Sequence, residues 1–313
     1  MTTPVLRAQW RAMGCAASVE VVGGDSSLLD LARQRVAHLE RCWTRFDASS
    51  DVCRLNSAAG QPVDVDPATL VLLDAMVQAH AVTAGAFDPT LLAPLVGLGD
   101  PANGATTSPA VPLPGGLRPR GEVEGVALDR AASVARLPVG TAIDAGGIGK
   151  GLAADLVAEH LLGEGAAGAV VCIGGDLRVV GQSPHGDGWR VGVADAWDHE
   201  LDAEVIAISE GGVATSGILR RHWIDRTGVQ RHHLIDPDSL QPTDRDSIVQ
   251  VTVVAGTAAW AEAHTKLVMV RGAGALAQLA DIGLAARIVL DGGVVAVNDM
   301  WCRFAANDLL EVG

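Results

Sequence analysis

The sequence predicts an α+β fold: mixed, largely antiparallel sheets with helices flanking them. Two observations predict it. Short strand-like runs interleave with helical periods along the whole chain, and several pairs of runs meet across tight glycine-bearing turns, as hairpins do. No repeat of fixed period runs through the 313 residues, and a hydrophobic content of 49% is enough for a sizeable core. The expectation is one single unit over residues 1–313.

Cys15 to Val22 alternates as a strand, and Gly23-Gly24 ends it. Asp25 or Ser26 caps a helix with the stripe Leu29, Ala32, Val36, Leu39 and Trp43. RFDASSDVCRLN (45–56) reads as a polar loop. A second helix starts with Asp66 as cap and Pro67 at its first position, follows Leu70, Leu73 and Val77, and closes at Gly85. Residues 85–99 (GAFDPTLLAPLVGLG) fit neither period, and 100–121, rich in Pro, Gly, Ala and Thr, is the predicted flexible loop.

Val126–Leu128 and Val134–Leu137 form a hairpin leading into Thr141–Asp155. There an apolar, strand-like approach ends at Asp144, glycines follow at 146, 147, 149 and 151, and a helix opens with Lys150 near its start. Bare N–H groups, a positive helix end and a lysine at one spot can hold a phosphate. The alternative is a tight strand-to-helix turn with a surface lysine. The P-loop and dinucleotide-fold patterns both fail here. Beyond the helix, strands are expected at Ala169–Ile173, Leu177–Val180, Trp189–Val193, Val205–Ser209 and Ile248–Val254. Further hairpins turn near Thr227-Gly228 and Gly292-Gly293, and helices are expected over Ala258–Val270 and Ala273–Ile282.

The net charge of −14 argues against a nucleic-acid partner and against an anionic membrane surface. Five widely spaced cysteines without a CxxC pair read as reduced thiols, with metal binding by cysteine not expected. No apolar run has membrane-spanning length, and no signal peptide precedes the fold, so the expected location is cytoplasmic. Neither a GxSxG elbow nor an HExxH motif occurs. What survives is a phosphate-holding turn with oxygen donors at Asp144, Asp176, Thr215-Ser216, Asp236 and Glu262, a donor set that suits Mg²⁺. Glu262 and Lys266, four apart on a helix, read by default as a surface ion pair.

In order along the chain stand AMG (12–14), FDASSDVCRLN, GAFDP (85–89), IDAGGIGKG (143–151), IGGD (173–176), ATSG (214–217), HLIDP (233–237) and AEAHTK (261–266). This series resembles the FAD:protein FMN transferase (ApbE) family from about Met13 to Gly272. The resemblance implies a two-lobed unit with a flavin cleft, and transfer of FMN from FAD to a threonine hydroxyl of a target flavoprotein, with release of AMP. It implies FAD contacts at Met13, Ala86, Phe87, Asp88, Asp144, Lys150, His233 and Leu234, and catalytic roles at His233, Lys150 and Asp144, with His233 either the base or a positioning group. Mg²⁺ would sit on the Gly147 carbonyl and on an Asp and a Thr four apart on a helix.

This chain has Glu262 and Lys266 at those last two positions, with Thr265 one residue away. Lys266 then either pairs with Glu262 and weakens the metal site, or stands in for the metal's charge; both imply weak Mg²⁺ dependence. The chain has no tyrosine, so a flavin-stacking aromatic falls to Trp43, Phe46 or another Trp. The implied partner is a flavoprotein with a D-x-x-[ST]-G-A-T motif, which this chain itself lacks. Two further readings remain open, an FAD pyrophosphatase and an FAD-binding protein without transfer activity.

Overall fold

The protein is described by a computed structural model over residues 4–100, 111–184, 186 and 188–304. The chain opens with a hairpin, β1 (Val5–Ala12) and β2 (Cys15–Val22), with Ala12 opposite Cys15. Its turn residues Met13 and Gly14 have φ of 49° and 74°, the left-handed pair that a two-residue turn between twisted strands requires. The strand β1 is absent from the sequence expectation. Its polar positions face solvent, and it carries no turn signal of its own at the start.

There follow α1 (Ser27–Trp43), α2 (Asp51–Ser57), β3 (Val63–Asp64), α3 (Pro67–Val82), α4 (Leu92–Gly97), β4 (Ala127–Asp129) and β5 (Val134–Arg136). Next are α5 (Gly149–Gly163), β6 (Gly168–Ile173), β7 (Asp176–Gly181), β8 (Trp189–Ala194), β9 (Asp202–Ile208) and β10 (Gly211–Gly217). The chain continues through β11 (His222–Ile224), β12 (Gln230–His232), β13 (Ile248–Ala255), α6 (Ala258–Arg271), α7 (Ala275–Asp281), β14 (Ala285–Leu290) and β15 (Val295–Val297). Eight strands form the main sheet in the order β1-β2-β6-β7-β10-β13-β14-β15, antiparallel throughout. Three small antiparallel sheets accompany it: β3-β5-β4, β8-β9 and β11-β12.

Helices α5 and α6 pack on one face of the main sheet, and α1 packs on α5. The β8–β9 hairpin closes the other face through Trp189, Val191, Ile206 and Ile208. Every residue of β13 is buried, as a strand covered on both sides must be. Small residues let α5 sit deep: a Cβ on Gly151 would lie 2.5 Å from the Ala258 carbonyl oxygen. There α5 meets the start of α6 backbone to backbone. Asp155, about one turn further along the same face of α5, accepts the Ala258 and Ala259 N–H groups at 2.8 and 2.9 Å and so caps α6.

Four local expectations change. Residues 51–57, expected as loop, are the helix α2, because Ser50 accepts the Cys53 N–H at 3.1 Å and caps it. Within 85–99, Leu92–Gly97 forms the short helix α4. The approach to Asp144 is extended but pairs with no strand. Asn56 holds it instead, donating to the Ile143 carbonyl at 2.9 Å and accepting its N–H at 2.8 Å. Of the loop expected at 100–121, residues 101–110 lie outside the described ones, while Arg118 N–H donates to the Gly140 carbonyl at 2.8 Å and Arg120 reaches Asp88 at 2.7 Å. Among the described residues no helix is long and apolar enough to cross a membrane.

Candidate active site

Two adjoining recesses share Asp144, Gly146 and Arg221 and together make one cleft. The first, of about 690 Å³, is bounded by Ala86, Phe87, Asp88, Gly147, His233, Leu234 and Lys266 among others. The second, of about 790 Å³, is bounded by Met13, Trp43, Arg45, Phe46 and Lys150 among others. All the expected FAD-contact positions therefore meet at one place, although 221 residues separate Met13 from Leu234.

Local structure explains how each arrives. Met13 sits at the tip of the β1–β2 turn, and its N–H donates to Glu40 of α1 at 2.7 Å. Phe87 is buried with its N–H on the Thr83 hydroxyl at 3.0 Å, and a Cβ on Gly147 would approach its ring to 2.9 Å. Gly147 is thus glycine because the Phe87 ring lies against it. Asp144 accepts the Gly146 N–H at 3.0 Å and lies 3.8 Å from Arg45. Asp88 borders the cleft, but its carboxylate is spent on Thr90 and Arg120.

At α5's start the geometry departs from the open phosphate cradle read from the sequence. Lys150 bonds to Asp176 and lies 3.2 Å from Glu262, whose other oxygen accepts the Gly151 N–H at 2.8 Å. A carboxylate from α6 therefore covers the positive helix end. Glu262 is fully buried, and Lys266 lies 3.4 Å from the oxygen that also faces Lys150. The expected surface ion pair is in fact an interior one. Burial lowers the Lys266 ammonium to about 8 despite the attraction of Glu262. For Glu262 the two ammonium groups and the Gly151 N–H outweigh burial and hold its carboxyl below the usual range.

Which of Thr265 and Lys266 faces the cleft is now decided. Thr265 is fully buried, donates to the Glu262 carbonyl at 2.6 Å and meets the Ser216 hydroxyl at 2.7 Å, on the sheet side of α6. Lys266 borders the cleft beside Gly147. The donors at Glu262 and Lys266 do not fit a divalent cation: that carboxylate is already shared by two ammonium groups and an N–H, and an ammonium offers no lone pair.

His233 is half-buried, and its Nδ1–H donates to the Arg221 carbonyl at 3.2 Å. Burial, then Arg221 and Lys266 nearby, hold it well below 6.5, so the ring is neutral. Its Nε2 has no partner among the described residues and carries a lone pair.

Sequence reasoning missed four contributors. Arg45 and Arg221 converge on the buried Asp100, Arg221 at 2.6 Å, and both line the cleft. Glu40 fixes the Met13 turn, and Asn56 fixes the Asp144 approach. Only Arg45 and Asn56 lie in a stretch already singled out, RFDASSDVCRLN. Trp43 and Phe46, the aromatic candidates, do border the cleft, with the Arg45 guanidinium 4.8 Å from the Phe46 ring centre.

Fold and cleft together define an α+β protein in which Lys150, Lys266, Arg221 and His233 meet in a recess with largely apolar walls. The ApbE family model matches residues 13–288, and the chain belongs to that family. A Klebsiella pneumoniae FAD:protein FMN transferase is 29% identical over 273 residues, covering 84% of this chain and 77% of the relative. A Vibrio cholerae FAD:protein FMN transferase is 28% identical, covering 72% and 68%. The crystal structure of an ApbE protein from Thermotoga maritima superposes with a TM-score of 0.82 at 26% identity, covering 97% of this chain and all of that one.

Proposed function

We propose that this chain is an FAD:protein FMN transferase that moves FMN from FAD to a threonine hydroxyl of a flavoprotein carrying a D-x-x-[ST]-G-A-T motif. The observation that carries this reading is the convergence of Met13, Ala86, Phe87, Asp144, His233, Leu234 and the two lysines on one cleft. FAD lies along it, with the diphosphate near Lys150, Lys266 and Arg221.

In the step itself, the acceptor oxygen attacks the FMN phosphorus and the bond from that phosphorus to the AMP oxygen breaks. The hydroxyl proton passes to the neutral His233 Nε2, which the Arg221 carbonyl keeps in the right tautomer. Negative charge growing on the bridging oxygens is met by fixed cations, Lys266 and Arg221. No step is routed through a divalent metal, because the donors at Glu262 and Lys266 do not fit one.

A second reading, an FAD pyrophosphatase or a flavin binder, draws on the same feature: a lysine at Lys266 leaves the cleft with less positive charge than a divalent ion would. Incubation with FAD and an acceptor domain separates them. Flavin covalently bound to the acceptor supports the transferase; free FMN and AMP, or unaltered bound FAD, would replace it.

A further inference from the structure

His38, Cys42 and Asp66 bring an imidazole nitrogen, a thiol sulfur and a carboxylate oxygen within 4.8 Å of one another. They lie outside the cleft. His38 and Cys42 are four apart on α1, so they share one face of it, and Asp66 is the N-cap of α3. The sequence offered no such site, since no paired Cys/His motif exists and Asp66 reads only as a cap. Folding supplies the third donor.

The arrangement has a focus. The same His38 nitrogen, Nε2, lies 3.0 Å from Asp66 Oδ2 and 3.8 Å from Cys42 Sγ. In a catalytic relay the two partners would take the two different ring nitrogens. Here both gather at one, as ligands around a shared ion do. With Zn–N of about 2.0–2.1 Å and Zn–S of about 2.3 Å, tetrahedral edges come to roughly 3.4–3.6 Å. The two separations found bracket that range, so small side-chain rotations suffice. Asp66 is also held in place, because its Oδ1 accepts the Ala68 N–H at 2.8 Å and leaves Oδ2 turned to His38. The His38 and Asp66 side chains are about a third exposed, at 32% and 29%, which leaves room for a water as fourth ligand.

We propose that His38, Cys42 and Asp66 bind one borderline-soft divalent cation of the Zn²⁺ class, pinning α1 to the start of α3. One nitrogen, one sulfur and one oxygen suit that class, whereas Mg²⁺ and Ca²⁺ require oxygen donors throughout. The thiol proton leaves to solvent as the metal–sulfur bond forms. Because α1 runs on into Trp43 and Arg45, the ion also stiffens one wall of the cleft.

The test is titration of metal-stripped full-length protein with Co²⁺. The site predicts a thiolate-to-cobalt charge-transfer band saturating at one Co²⁺ per chain, displaced by Zn²⁺, lost in Cys42→Ser and kept in Cys302→Ser. Asp66→Ser, which retains a capping hydroxyl for α3, should weaken binding without unfolding the helix. Zn²⁺ should raise the melting temperature of the wild type and not of His38→Ala. A thiolate band that survives Cys42→Ser, or Co²⁺ binding without such a band, overturns the proposal. None of these readouts involves FAD, so the result stands apart from the fate of the transferase reading.

Discussion

Asn56 and Ile143 clasp one another through two hydrogen bonds, side-chain amide to carbonyl at 2.9 Å and backbone N–H to side-chain oxygen at 2.8 Å. All four groups are buried, and the clasp takes the place of a strand partner for the segment that ends at Asp144. Asn56→Ala leaves both Ile143 groups unpaired, at about 1–3 kcal/mol each. Chemical unfolding should show a loss in that range or above, and FAD affinity should fall with it, because Asp144 is no longer held. An unchanged unfolding midpoint would mean that water or another side chain satisfies Ile143.

The Lys266 ammonium beside Glu262 predicts a weak response to Mg²⁺. A unit charge about 4 Å from a divalent cation costs it about 8 kcal/mol at an effective dielectric of 20, which is enough to abolish a Mg²⁺ site. Stripping metal from the wild type should leave FAD binding and FMN transfer nearly unchanged. The double variant Glu262→Asp with Lys266→Thr restores oxygen donors, and its transfer should become Mg²⁺-dependent. Strong activation of the wild type by Mg²⁺ would sink this reading.

His233 is neutral well below its ordinary value of 6.5. Transfer should therefore show no rising limb at the usual histidine range. His233→Asn can still donate to the Arg221 carbonyl but cannot take a proton. Its kcat should drop by about 10²–10⁴-fold with FAD affinity little altered. If affinity falls and kcat holds, His233 positions the flavin and is not the base.

Asp155 gives the stability a sign that can be checked against pH. Burial lifts its carboxyl from 3.8 to about 6, against the pull of the Ala259 and Ala258 N–H groups and of Arg178. The folded state thus holds more protons than the unfolded one between those values, and this residue's contribution to stability falls as pH rises from about 4 to about 6. A shift of about two units corresponds to about 3 kcal/mol. Asp155→Asn removes that component, so the wild type's advantage over the variant should be larger at about pH 4 than at about pH 7. Equal differences at both would show that Asp155 titrates normally.

Much of the fold was legible because its signals are local. Asp66 with Pro67 starts α3, glycine turns mark the hairpins, and alternation marks β2 and β13. The helices α2 and α4 escaped because 7 and 6 residues are too few for a period to show. The cleft was legible as a set of motif positions, though not as geometry.

By itself the sequence determined the longer elements, the family and most of the positions that gather at the cleft, since caps, turns and periodicity act over a few residues. Tertiary structure alone decided which charges meet. Glu262 reaches Gly151 across 111 positions, Asn56 reaches Ile143 across 87, and Thr265 turns to the sheet while Lys266 turns to the cleft. No periodicity encodes such pairings. They follow from packing α6 against α5, where a glycine lets two backbones touch and a buried carboxylate must find its cations.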